Sequence, residues 1–192
     1  MLLRYMAPRI FIYRLPQDDP RKNTAIKLAR FGLVYLVDSI RALPSGSIIL
    51  DPTAKTPLTP SDRDTAMSRG GLSLIDCSWK RAVDVHAKFV KGHFIRRRLP
   101  LLIAANPTHY GKPYILSTIE AVAAALYIMG FMDDAMEILR LYKWGGPNFV
   151  IINRRYLERY AAGDLSPERE LLGVDDVEHG LEQLMIALTR ND

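Results

Sequence analysis

The sequence predicts an α/β protein, with a parallel sheet in its N-terminal part followed by an all-helical C-terminal part. Two patterns carry that expectation. Short apolar runs rich in β-branched residues alternate with helix-like segments as far as Ala105, and such alternation argues for a parallel sheet covered by helices. From about Leu116 onward only helical periodicity remains. The length of 192 residues and an apolar content of 48% are enough to bury a substantial core.

The elements follow in order. Ile10, Phe11, Ile12 and Tyr13 form a first strand, and the loop from Leu15 to Asn23 carries Pro16 and Pro20. Thr24 is placed to cap a short basic helix with Lys27 and Arg30. Leu33 to Val37 and Ile48 to Leu50 are further strand runs, the latter preceded by the turn Pro44-Ser45-Gly46 and stopped by Asp51-Pro52. Thr59-Pro60 starts a helix that Gly70-Gly71 ends. Leu72 to Ile75 is a buried strand, Lys80 to Val90 a helix, and Leu99 to Ala105 the last strand. Ser117-Thr-Ile-Glu120 is a capping box opening a mostly apolar helix that ends at Gly130. Further helices are expected at Asp133 to Tyr142, Pro147 to Ala161, Pro167 to Leu172 and Asp175 to Arg190. A boundary near Arg98 divides the chain into a basic α/β domain, 1–98, and a mainly helical domain, 99–192.

Charge is unevenly placed. Residues 1–100 hold 18 Lys+Arg against 8 Asp+Glu, a net of +10, whereas residues 101–192 hold 8 against 13, a net of −5. A bipolar chain points to an anionic partner on the N-terminal half, with nucleic acid the leading candidate. The single cysteine, Cys77, excludes an internal disulfide and a Cys cluster for zinc, and fits a reducing compartment; the simplest reading of it is a small buried filler. No long uncharged apolar run is present, so a soluble protein is expected, with no membrane partner. There is no dinucleotide glycine fingerprint, no phosphate loop and no paired-histidine metal motif, and His86, His93, His109 and His179 are scattered.

In open parallel sheets, ligands bind beyond the carboxyl ends of strands, where loops diverge and helix N-termini offer free amides. Three of the expected strands end in Asp51-Pro52, Asp76-Cys77 and Asn106-Pro107. Were these ends neighbours, Leu50, Pro52, Trp79, Leu99, Leu116 and Ala121 would give one cleft apolar walls suited to a nucleoside. Thr118 and Ala121, at the start of the capped helix, lie near its positive end and so near a place for a carboxylate.

The blocks GLSLIDCSW, RRRLPLLIAANPTHYGKPYILSTIEAVAAALYIMGF and LYKWGGPNFVIINRRYLERY, with Asp19 to Leu28 and Ile49-Leu50-Asp51-Pro52, resemble the small-subunit ribosomal RNA aminocarboxypropyltransferases from Pro8 to about Tyr160. The resemblance implies a knotted SPOUT-like topology for the sheet. It implies transfer of the 3-amino-3-carboxypropyl group from S-adenosylmethionine to a modified uridine or pseudouridine of small-subunit rRNA, in the cytoplasm, with methylthioadenosine released. It places Leu50, Pro52, Trp79, Leu99, Leu116 and Ala121 around the adenine and sulfonium, the main chain of Ile75 at the ribose, and Tyr114, Thr118 and Thr24 at the amino-acid end. Asn23 stands where the family often has a cysteine, so no metal is expected.

Which carbon of a sulfonium reacts depends on which lies in line with the nucleophile. A wall including Trp79 is therefore expected to shield the methyl group. Asp76, the carboxylate of the matching turn, is the candidate base or positioning group, with capping of its own turn as the structural alternative. Lys22, Lys27, Arg30, Arg63 and Arg69 are the candidate phosphate contacts, and Arg96 to Arg98 could join them. The rivals are a SPOUT-type rRNA methyltransferase and a non-catalytic ribosome-assembly factor. The polar, acidic last helix offers no clear self-complementary face, which favours a monomer.

Overall fold

The computed structural model describes residues 7–15, 23–89, 93–143 and 145–190. Five parallel strands, β1 (Ile10–Arg14), β2 (Tyr35–Val37), β3 (Ile48–Leu50), β4 (Leu72–Asp76) and β5 (Ile95–Arg97), lie in the order β2-β1-β4-β3-β5. Alternation along the strands sends side chains to opposite faces. Ile10, Ile12, Ile48, Leu50, Leu72 and Leu74 enter the main core. Ile49 and Ile75 pack on the other face with Val85 of helix α3 (Trp79–Phe89).

The main core is covered by α1 (Thr24–Arg30), α4 (Thr118–Ile128), α5 (Met132–Arg140) and α6 (Gly146–Ala161). Helix α4 is apolar on nearly every side and buried from Ile119 to Ile128 except at Ala121, as befits a central helix. Helix α2 (Arg63–Ser68) joins β3 to β4, and α7 (Pro167–Leu172) and α8 (Val177–Arg190) close the chain. The buried main core runs continuously from Ile10 to Tyr160.

Two expectations are corrected here. The first is the fold class, a sheet of knotted SPOUT-like topology followed by an all-helical C-terminal part. The observed architecture is an α/β fold on a five-stranded parallel sheet whose far edge is β5, and residues 99–117 are extended chain and turns rather than helix. The second is Leu99 to Ala105 as a sheet strand. That segment is extended, but helix side chains take its outward groups: Leu101 N–H donates to Glu168 (3.1 Å), Leu101 C=O accepts from Tyr160 (2.8 Å), and Ala105 N–H donates to Glu120 (2.7 Å). Asn153 accepts from Ile103 N–H and donates to Ile103 C=O, both at 2.8 Å. The alternate groups, on Leu102 and Ala104, pair with the backbone of residues 111–114. With its hydrogen bonds satisfied this way, the segment has no vacancy for a sheet neighbour.

Smaller differences have equally local causes. The cap of α1 is Asn23, whose Oδ1 accepts from Ile26 N–H at 3.1 Å, rather than Thr24. The basic run at 96–98 conceals strand β5.

Candidate functional site

All five strands end on the same side of the sheet, and the β3–β4 register, Leu50 opposite Leu74, sets Asp51-Pro52 beside Ile75-Asp76. Beyond these ends lies a cleft with mostly apolar walls and a few polar groups, the make-up common to small-molecule sites. Its walls include Leu50, Pro52, Ile75, Asp76, Trp79, Leu99, Tyr114, Leu116, Thr118 and Ala121. Nine of the ten expected donor contacts, with Asp76, thus meet in one place. The tenth, Thr24, lines an adjoining cleft with Asn23, Asn106 and His109. Asp76, Cys77, Trp79, Leu116, Ser117 and Thr118 border both, so the two clefts are continuous.

The apolar cleft is built rigidly. Trp79 Nε1 donates to Leu116 C=O (3.2 Å), and its ring lies 5.5 Å from that of Tyr114. The Tyr114 hydroxyl donates to Pro52 C=O at 2.9 Å, and burial raises its pKa, so the phenol stays a donor. Tyr114 holds a φ of +73°, a left-handed conformation that costs about 1–3 kcal/mol for such a residue and is typical of ligand clamps. Its neighbours fix it there: Tyr114 N–H donates to Leu102 C=O at 2.8 Å and its own carbonyl accepts from Leu116 N–H at 2.9 Å.

Asp76 sits where the clefts meet. One carboxylate oxygen accepts from Asn23 Nδ2 (2.8 Å) and the other from the Thr118 hydroxyl (2.6 Å). It therefore ties the N-terminus of α1 to that of α4 across the carboxyl end of β4. Cys77, next to it, is half-buried rather than fully buried; burial, and then the Asp76 charge, push its thiol up to about 11.

Sequence reasoning missed the residue that shapes the far wall. Glu120 is fully buried and its carboxylate accepts from Ala105 N–H (2.7 Å), Asn106 Nδ2 (2.9 Å) and Ser117 N–H (2.7 Å). One side chain thus closes both ends of the loop that carries His109, Tyr114 and Leu116. The capping-box spacing from Ser117 identified Glu120 as a helix cap, but nothing in that local signal foretells the reach to Ala105. His86, also outside the expected set, borders the apolar cleft, with Nδ1 2.7 Å from Ala82 O. Among the described residues, two buried side-chain nitrogens have no hydrogen-bond partner: His109 Nδ1 and Arg14 Nη1, the latter on the residue opposite Asp76 in the β1–β4 register.

The candidate RNA contacts divide. Arg30 and Arg69 are exposed. Lys27 Nζ instead donates to Leu141 C=O, and Arg63 donates to Met129 C=O (2.8 Å) while its guanidinium lies 4.0 Å from the Phe131 ring centre. Lys22 lies outside the described residues. Arg96 pairs with Asp51 (2.6 Å), Arg97 with Asp62 (3.0 Å), and Arg98 with Glu168 in a buried bidentate contact (2.5 and 3.0 Å).

The family model "Ribosome biogenesis protein, C-terminal" matches residues 48–173. A 16S rRNA aminocarboxypropyltransferase of Vulcanisaeta distributa is 84% identical over 187 residues, covering 97% of this chain and all of that one. The chain belongs to the 16S rRNA aminocarboxypropyltransferase family. A further member, from Methanothermobacter thermautotrophicus, is 43% identical over 83% of this chain and 93% of its own. A solved structure described as the SAM-dependent rRNA:acp-transferase from Vulcanisaeta distributa superposes with a TM-score of 0.92 at 84% identity, over 97% of this chain and 100% of that one. That match is to an acp-transferase and not to a SPOUT methyltransferase, which completes the correction of the fold class. Among the described residues no helix is long and apolar enough to cross a membrane.

Proposed function

We propose that this chain transfers the 3-amino-3-carboxypropyl group of S-adenosylmethionine to a modified uridine or pseudouridine of small-subunit rRNA, releasing methylthioadenosine. The observation that carries the reading, in a member of this family, is a rigid apolar cleft opening at Asp76 and Thr118 into a polar one. The residues present fit the donor: apolar walls for a purine and a thioether, then hydroxyls and a helix N-terminus for an amino acid. A sulfonium supplies a good leaving group and leaves the choice of carbon to orientation.

The chain's own residues make that choice. Leu50, Pro52, Leu99, Leu116 and Ala121 enclose the nucleoside end, the main chain of Ile75 meets the ribose, and Trp79, locked to Leu116, forms the wall that excludes an acceptor from the methyl side. Thr24 and Thr118 hold the amino-acid end, while Tyr114, its hydroxyl spent on Pro52 C=O, backs Trp79. With both oxygens already accepting hydrogen bonds, Asp76 acts as a positioning group, fixing Thr118 and Asn23 at the junction. Exposed Arg30 and Arg69 contact RNA phosphates, and the protein works in the cytoplasm as a monomer on rRNA or a pre-ribosomal particle.

The test is incubation with small-subunit rRNA that carries the modified uridine or pseudouridine but no aminocarboxypropyl group, and S-adenosylmethionine labelled separately in the carboxyl and the methyl carbon. Carboxyl label in RNA, with methyl label recovered in methylthioadenosine, is the expected result. Methyl label in RNA overturns the reading in favour of a methyltransferase, and neither label despite RNA binding overturns it in favour of an assembly factor.

A further inference from the structure

We infer that the polar cleft bounded by Asn23, Thr24, Asn106, His109 and Thr118 is the pocket for the acceptor uracil ring, and that the His109 imidazole donates a hydrogen bond to a carbonyl oxygen beside the reacting nitrogen. The inference rests on the proposed transfer and adds to it the place and recognition of the acceptor.

The position follows from the in-line requirement. The new N–C bond forms at the carbon whose bond to sulfur breaks, so the nucleophile lies opposite the sulfur, further along the direction in which the aminocarboxypropyl arm leaves the apolar cleft. On its other side the Tyr114–Pro52 hydrogen bond separates that cleft from another one, lined by Arg98, Glu168 and the apolar side chains of α8. The continuation that offers uncharged hydrogen-bonding groups is the junction at Asp76, Ser117 and Thr118, which leads into the polar cleft. It is open to solvent and lined by the amide and hydroxyl groups of Asn23, Thr24, Asn106 and Thr118 beside His109, the kind of groups that recognise a uracil ring.

The recognition follows from an unspent hydrogen-bonding group. Most polar groups described above at the cleft are committed: Asn23 to Asp76 and to the α1 cap, Thr118 to Asp76, Asn106 to Glu120, to Ile115 C=O and to the backbone of His109. His109 is held at both backbone groups, its N–H donating to Asn106 and its C=O accepting from Lys112 N–H at 3.0 Å. Its Nδ1 is left without a partner. An orphaned buried nitrogen is unfavourable, and a base carbonyl or N–H seated in the cleft that His109 lines can supply the missing partner.

In the transfer, the imide N–H of the base loses its proton to water, the nitrogen's electron pair forms the bond to carbon, and the carbon–sulfur pair leaves on sulfur. Charge released by deprotonation spreads to the adjacent carbonyl oxygens. A positioned N–H donor stabilises that charge.

The experiment compares wild type, His109→Leu and His109→Asn in carboxyl-label transfer across pH to small-subunit rRNA that carries the modified acceptor base but no aminocarboxypropyl group, with donor affinity measured in parallel. His109→Leu is expected to lower kcat/KM for RNA about tenfold, the value of one hydrogen bond to a charged group at its lower end, and to move the alkaline-rising limb of the profile up by about one pH unit. Donor affinity stays as in wild type. Asparagine, which returns an N–H donor at a similar reach, recovers most of the loss. As a measurement independent of variants, the imidazole signals of the four histidines are followed by NMR during titration with pseudouridine in the presence of methylthioadenosine. Movement of the His109 ring is expected.

Wild-type transfer with an unshifted pH profile in His109→Leu, or with a stationary His109 signal, overturns the acceptor pocket while leaving the transferase reading intact. Absence of carboxyl transfer by wild type overturns the transferase reading itself.

Discussion

At the scale of single residues, the site depends on polar side chains that the fold has already engaged, and Cys77 reports on it directly. Its thiol borders both clefts, and burial together with the Asp76 carboxylate pushes it up to about 11. At pH 8 a thiol of ordinary pKa is about one-quarter thiolate, whereas one at 11 is about a thousandth, so alkylation by iodoacetamide is expected to run about two orders of magnitude slower than for free cysteine. Saturating S-adenosylmethionine slows it further by covering the thiol. The linkage has a definite sign: the folded pKa is raised, so the stabilisation is complete below about pH 9 and is lost as pH rises through about 11. Alkaline denaturation monitored by circular dichroism should therefore fall less steeply over that window in Cys77→Ser. The sequence placed Cys77 at a strand end but could not supply its exposure, which depends on the cluster of Leu43, Ile49, Ile75 and Val85 that it packs against.

At the scale of elements, residues 99–105 show why local pattern and tertiary partnership differ. An apolar run of that length, bounded by a basic cluster and Asn106-Pro107, carries the composition of a sheet strand, and the chain there is indeed extended. Besides the nearby backbone of residues 111–114, its partners lie 15 to 67 residues away on three helices, as side chains of Glu120, Asn153, Tyr160 and Glu168. No periodicity encodes them. The capping box at Ser117, by contrast, is wholly local, and it was legible along with the turns around residues 51, 76 and 106 that gather most of the site. Asn153 gives the sharpest test of the side-chain partnership, because it is fully buried and pairs with both backbone groups of Ile103 and with Phe149 C=O. Asn153→Leu keeps the branching and the number of heavy atoms while orphaning those groups. It is expected to lower unfolding free energy by about 2–5 kcal/mol, and the melting temperature by roughly 5–15 °C, in thermal denaturation.

At the scale of the whole molecule, the question is how much of the +10 carried by residues 1–100 remains available to an anionic partner. The fold spends part of it. Arg96, Arg97 and Arg98 neutralise Asp51, Asp62 and Glu168, while Lys27 and Arg63 turn onto backbone carbonyls at the ends of helices α5 and α4, where a cation meets the negative end of the helix. The acidic C-terminal half answers many of its own charges, as in Arg159 with Asp164 and Glu170 and Arg169 with Asp175. Sequence alone counts these cations as one basic surface, because charge is legible and direction is not. Exposure separates them into two sets with opposite consequences. Arg30→Glu and Arg69→Glu should weaken rRNA binding and flatten the plot of log affinity against log salt, each lost phosphate contact removing about 0.7–0.9 from the slope. Lys27→Ala and Arg63→Ala should leave that slope unchanged and lower the melting temperature instead, since they remove caps of buried helices rather than phosphate contacts. Filter binding across a salt series, with thermal denaturation of the same four variants, distinguishes the sets; a slope that responds equally to all four would mean that Lys27 and Arg63 leave their carbonyls to meet RNA.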